Sequence, residues 1–255
     1  MVKNIKKKLV YFGIPVGENL PGCFFCYSIN MPIRLLITLI LLAGCKNFKE
    51  QKAETGEGII TYKISYSEDN PYKDKRFLPG ETNLVFKETM ASFITSGMGI
   101  IQLVNLLDNE HKKYTSLLIN SFGDNFAFTE TSEDINEQEN NPKYSFELTD
   151  DKKTIAGLEC NKAIVSDLTN IKSFDIYYYS KIKVVLGNCP YKDFNYLLME
   201  YNDTRYGLPM HLIAVKADLS PIDTTLFQVE DPGVYNWVDK KTFINIIKNL
   251  KSPIY

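Results

Sequence analysis

Histidine and tryptophan are nearly missing from this chain, which has two of the first and one of the second in 255 residues. His111 falls in a stretch that reads as a turn and His211 between Met210 and Leu212. Neither has an acid or thiol partner at a recognisable spacing, so neither is expected to act as a general base or a metal ligand. Gly-x-Ser-x-Gly, His-Glu-x-x-His and the phosphate-binding Gly-rich loop are all absent. Acidic pieces such as Glu133-Asp134 and Asp150-Asp151 lack the spacing of a calcium loop and read as solvated loop charge. No cofactor, metal or catalytic residue is therefore expected. Carboxylate pairs are set by space rather than by sequence, which keeps an envelope hydrolase as an alternative.

Long apolar runs are also lacking. The longest, Leu35–Leu42, is too short for a bilayer, which needs about 20 residues. It has a different grammar. Met31 and Arg34 precede it, and Leu42-Ala43-Gly44-Cys45 follows it. A short positive region, an apolar core and small residues before a cysteine resemble the signal peptide and lipobox of bacterial lipoproteins. The resemblance implies a diacylglyceryl group on the Cys45 thiol, cleavage before Cys45 and acylation of the new amine. Several acyl chains give stable anchoring where one does not. Lys46 rather than aspartate follows the cysteine, which by resemblance to the enterobacterial sorting rule points to the outer membrane.

Four segments follow from this reading. Residues 1–30 are a mis-annotated extension, with translation starting at Met31, and 31–44 are the signal peptide. Residues 45–57, polar and low in apolar content, are a flexible tether, and 58–255 form a single β-rich domain. Cys23-Phe24-Phe25-Cys26 lies in the extension, and no second cysteine or histidine pair follows at zinc spacing. Beyond Cys45 only Cys160 and Cys189 are left, a pair able to form one disulfide in an oxidising envelope or to pack as two buried thiols.

Of the 29 basic and 31 acidic residues, five bases (Lys3, Lys6, Lys7, Lys8, Arg34) and one acid (Glu18) precede Cys45. The remainder holds 24 bases and 30 acids, a net charge of −6. A surface of that sign lacks the basic face a nucleic-acid partner requires.

What the chain has in quantity is tyrosine and phenylalanine, 16 and 15 residues, which suit a pleated half-buried surface. Ile60, Tyr62, Ile64 and Tyr66 alternate with Thr61, Lys63 and Ser65, the period of a strand with one buried face. Further strands are expected near 83–88, 90–96, 100–107, 113–119, 126–130, 144–149, 161–167 and 173–179. Leu197–Tyr201 and Pro209–Leu219 should pair about a turn at Asn202-Asp203, with a short strand at 225–229. Residues 131–141 read as a loop. The best helix follows Asp239, with Phe243, Ile246, Ile247 and Leu250 on one face. The expected fold is mainly β: one curved antiparallel sheet with a C-terminal helix.

The segment Lys153-Thr154-Ile155-Ala156-Gly157-Leu158-Glu159-Cys160-Asn161-Lys162-Ala163 resembles the Lys-x-Ile-x-Gly-x-x-Cys-x-Lys-Ala stretch of the GLPGLI family and related envelope proteins of Bacteroidetes. Ile176–Ile182, Gly207-Leu208-Pro209 and Thr225–Val229 are similar to other parts of that family. The resemblance covers about residues 58–230. It implies a lipoprotein-carrier-like half-barrel, anchored in the cell envelope and facing the periplasm. Such a sheet could hold a lipid or other hydrophobic ligand, or dock an envelope protein, or serve assembly alone.

Overall fold

A computed structural model describes residues 54–66, 78–97, 101–136, 144–168, 172–187 and 191–250. The extension, the signal peptide, Cys45 and Cys189 lie outside the described residues.

The strands are β1 (Glu54–Thr55), β2 (Glu57–Tyr66), β3 (Glu81–Lys87), β4 (Met90–Gly97), β5 (Ile101–Asp108), β6 (Lys113–Asn120) and β7 (Asn125–Thr131). After a short helix α1 (Ser132–Asn136) come β8 (Tyr144–Ile155), β9 (Leu158–Asp167), β10 (Lys172–Tyr179), β11 (Ile182–Lys183), β12 (Leu197–Arg205) and β13 (Leu208–Asp218). β14 (Tyr235–Trp237) and the helix α2 (Lys240–Leu250) close the described chain. Twelve strands form one open curved sheet in the order β14-β7-β6-β5-β4-β3-β2-β13-β12-β10-β9-β8. Neighbours are antiparallel except β14, which joins β7 in parallel. The mainly β half-barrel with a C-terminal helix is thus the observed architecture.

Register carries the alternation from strand to strand. Ile60 lies opposite Leu84, Leu84 opposite Phe93, Phe93 opposite Asn105, and Asn105 opposite Ser116. Tyr62 and Ile64 continue onto β13 through Ala214 and Leu212, and Leu212 onto Tyr201 of β12. These residues share the inner face, which holds most of the core. A one-residue slip would turn the whole row to solvent, so the pattern itself fixes the register.

The inner face is filled by the chain's own elements. Tyr191 and Phe194 pack on the rings of β8 and β10, and Val184 and Leu186, from a segment that bonds Asn109 at the β5–β6 end, belong to the same main core. At the other end α2 lays Phe243 and Ile247 against Leu118 and Phe128. Asp239 caps that helix: its carboxylate accepts from the Thr242 N–H at 2.9 Å and hydroxyl at 2.8 Å. The Thr242 N–H and hydroxyl hold the Asp239 pKa below its ordinary value. The cap is therefore in force at neutral pH and is lost as pH falls through that lowered pKa.

The outer face of β5–β7 carries a smaller cluster of Leu106, Leu117 and Ala127, covered by Val229 and Tyr235. Glu57 and Lys87 pair at 2.9 Å and bracket this covering segment, Glu57 accepting from the Ile222 N–H and Lys87 donating to the Ile222 carbonyl. Ser92 is fully buried on this face, between Val85 and Leu106, and its hydroxyl has no partner among the described residues. A buried hydroxyl without a partner is destabilising. Ser92→Ala should raise the free energy of unfolding by about 1 kcal/mol, read from the urea midpoint at constant slope. An unchanged or lowered midpoint would mean that a water or an unseen acceptor satisfies the hydroxyl.

Several elements differ from the sequence reading, β11 and the parallel strand β14 among them. Strand structure begins at Glu54, inside the expected tether: β1 and β11 form a separate two-stranded parallel sheet, Gly56 packs on the Ile182 side chain, and β2 opens the large sheet at Glu57. Residues 132–136 are helical, nucleated by Asp134 accepting from the Thr131 N–H and hydroxyl. The β12–β13 turn is not at Asn202-Asp203 but at Tyr206-Gly207, where φ is 52° and 73°. Two successive positive φ values match the twist of a hairpin, and glycine supplies one without strain. Finally, Thr224–Phe227 is a 3-10 turn rather than a strand, capped by the Asp223 side chain on the Thr225 N–H.

Candidate functional site

The sheet is not continuous along its full width. β10 pairs with β12 only over Tyr177–Tyr179 and Leu197–Glu200, with a bulge between Tyr177 and Tyr178. From Asn202 onward β12 loses this neighbour, which leaves a row of backbone groups in need of partners. Tyr191 meets part of that need: it is buried, and its hydroxyl donates to the Asn202 carbonyl.

Around Tyr191 the rings of the diverging strands collect. Tyr144 of β8 stacks on it at 5.4 Å and 28° between planes, and Phe174 of β10 meets it edge-on at 6.3 Å. Tyr201 backs it at 5.9 Å, nearly perpendicular. Offset and edge-on contacts are the arrangements that ring quadrupoles favour. Tyr144 and Phe174 are half-buried, so they face an open cleft of about 410 Å³. Its far wall is Tyr66, Pro209 and Met210, and Asn202, Thr204, Ser65 and His211 give it a polar rim. A volume of that size suits a small ligand.

The wall below the rim is locked by charge. Asp203, with a side chain only 2% exposed, pairs with Arg205 at 2.7 Å and accepts the Thr204 N–H at 2.7 Å. Arg205 lies over the Phe93 ring, 3.7 Å from its centroid, a cation–π contact. The next residue, Tyr206, donates to Asn105 Oδ1 at 2.7 Å, and Ser116 donates to the same oxygen at 2.9 Å. The β12–β13 tip is thereby pinned onto β5 and β6. Between tip and sheet lies a void of about 50 Å³, room for water but not for an acyl chain.

His211 belongs to the cleft, which sequence did not indicate. Its Nδ1 meets Asn202 Oδ1 at 3.0 Å and its Nε2 lies 3.4 Å from Glu200 Oε1. Lys153 Nζ reaches the other Glu200 oxygen at 2.6 Å. Ser65 lies opposite His211 in the register, and its hydroxyl donates to the His211 carbonyl at 3.5 Å. A serine relay needs the hydroxyl on one imidazole nitrogen and the acid on the other. Here the Asn202 amide oxygen holds Nδ1 and the Glu200 carboxylate lies beside Nε2, while the Ser65 hydroxyl bonds the His211 backbone instead of its ring. His111 lies in the β5–β6 turn, exposed, with Nδ1 2.7 Å from Asp108, whose carboxylate holds the His111 pKa above its ordinary value. No cluster of three His, Cys, Asp or Glu able to hold a metal occurs among the described residues.

Cys160 lies buried on the inner face of β9, with Sγ donating to the Leu158 carbonyl at 3.4 Å. Burial pushes its thiol pKa up to about 11. Only thiolate reacts, so at pH 8 maleimide should leave Cys160 unmodified in the folded protein. Peptide mapping after unfolding separates the two sequence expectations. Labelling without reductant means a free thiol, whereas labelling only after reductant means the bridge to Cys189. Rapid labelling of the folded protein would contradict the burial.

No protein-family model matches the chain, and no curated protein matches it. Among solved structures it is similar to PNGF-II in a C2 crystal form, with a TM-score of 0.44 at 16% identity, covering 76% of this chain and 33% of that one. The P21 form gives a TM-score of 0.45 at 14% identity, covering 76% and 34%. The chain thus spans about a third of the length of PNGF-II.

Proposed function

We propose that this is a non-enzymatic lipoprotein of the bacterial cell envelope, anchored through Cys45, that holds a small ligand in the cleft between β10 and β12. The observation that carries the ligand half is the cleft itself, with half-buried rings on one side and hydrogen-bonding groups on the rim. The anchor half rests on the signal-peptide grammar ending at Cys45. A lipid held along the sheet, as a lipoprotein-carrier-like half-barrel would do, is disfavoured, because α2 and the chain near Tyr191 already cover the inner face. Hydrolysis is disfavoured by the engagement of both His211 nitrogens.

Cys45→Ser tests the anchor. The wild-type chain should sediment with membranes and incorporate labelled palmitate, whereas the variant should incorporate none and stay uncleaved at Gly44. A variant that is still trimmed there and still acylated would end this reading. For the ligand half, native mass spectrometry of gently purified protein should find a bound species that Tyr144→Ala releases.

A further inference from the structure

We propose that the cleft takes a neutral saccharide, one sugar ring lying on its aromatic wall and the hydroxyls meeting its rim. The inference rests on the ligand-cleft reading above and assigns the chemical class of the ligand.

Charge narrows the class first. Among the described residues no lysine or arginine lines the cleft, so a phosphate or carboxylate finds no lysine or arginine counter-charge among them. The one carboxylate among its described lining residues, Asp203, is buried and engaged by Arg205 and the Thr204 N–H, so it is not accessible to a cationic ligand. Shape narrows it further. The cleft is open, and the interior behind it is packed with Tyr191, Tyr201 and Tyr62, so among the described residues no channel for an alkyl tail runs inward past these rings.

What the cleft offers is two surfaces of different kinds. Tyr144, Phe174 and Tyr66 present apolar ring area. Asn202, Thr204 and Ser65, on the strand face opposite Tyr66 and Met210, edge the cleft with uncharged donors and acceptors, and Asn202 commits only its Oδ1, to His211, which leaves two amide N–H groups for a ligand. A pyranose carries the complement. Its axial C–H face is weakly positive and suits the negative face of an aromatic ring, while its equatorial hydroxyls point outward in the ring plane. A purely apolar ring would leave the rim groups without partners, which costs affinity.

The test uses the full chain in an alkyl amine-oxide detergent, free of sugar headgroups. It is applied to an array of neutral oligosaccharides built on glucose, mannose, galactose and N-acetylglucosamine. The best binder is then titrated calorimetrically, with indole followed in parallel by saturation-transfer NMR. At least one glycan should bind, and Tyr144→Ala and Asn202→Ala should each weaken it at least tenfold while both variants still melt cooperatively well above the assay temperature. If no glycan binds while indole does so in a Tyr144-dependent way, the saccharide assignment is overturned and the ligand cleft stands. If neither binds, or if glycan binding ignores both substitutions, the cleft reading falls as well.

Discussion

Asp203→Ala should lower the free energy of unfolding by about 3 kcal/mol or more, the scale for removing one partner of a buried ion pair. The carboxylate is almost wholly withdrawn from water, and Arg205 is largely withdrawn too, with its guanidinium on the Phe93 ring. Alanine removes the charge that faces this guanidinium and leaves the Thr204 N–H without its acceptor. The loss should come from a buried guanidinium deprived of this carboxylate rather than from the worth of the pair. Asp203→Ala combined with Arg205→Met should therefore recover much of it, since methionine keeps an apolar stem against Phe93 and needs no counter-charge. Urea unfolding of the two single variants and the double variant closes the cycle. If Asp203→Ala costs less than about 1 kcal/mol, the pair is better hydrated than its geometry implies.

The same two residues explain what a reader of the sequence could and could not find. Asn202-Asp203 looks like a turn because short polar side chains often close one. In the fold neither serves a turn: Asn202 bonds His211 across the strand pair, and Asp203 is held by Arg205. The usable signal was Gly207, since a two-residue hairpin turn needs positive φ. The strands were legible for a simple reason. One buried face forces alternation with period two, and Ile60, Tyr62 and Ile64 display it without interruption. Helix α2 was legible from its cap and its single apolar stripe.

The cleft was not legible, because no local pattern encodes it. It exists where β10 and β12 part after a bulge at Tyr177-Tyr178. Its floor is Tyr191, from a segment with no period, brought against Tyr144 and Phe174 by a sheet whose curvature is a sum over many strands. High tyrosine content hinted at such a wall, but the same content serves the core, where Tyr62 donates to the Leu198 carbonyl at 2.6 Å and Tyr201 packs on Tyr62.

Phe243→Ala is expected to cost about 3–5 kcal/mol, the range for truncating a buried phenylalanine. Phe243 is 0% exposed, with Phe128 at 4.8 Å and Tyr206 at 6.2 Å between ring centroids. The cost should appear as local opening, because α2 packs chiefly on one edge of the sheet through Phe243 and Ile247, with the Lys240–Glu130 pair at its start. Amide exchange should therefore speed up across residues 240–250 and at the Tyr206 tip, while β2, β3 and β13 keep their protection. Trypsin should cut first at Lys240, Lys241 or Lys248. Lifting the helix bares Leu118, Phe128, Ile101 and Leu103 on the inner face. The variant should then bind 1-anilinonaphthalene-8-sulfonate, which the parent protein should not. This outcome decides what fills the half-barrel. If the parent protein already binds the dye in a way that Phe243→Ala leaves unchanged, the inner face is open without the helix moving, and a lipid along the sheet regains its place over a ligand in the cleft.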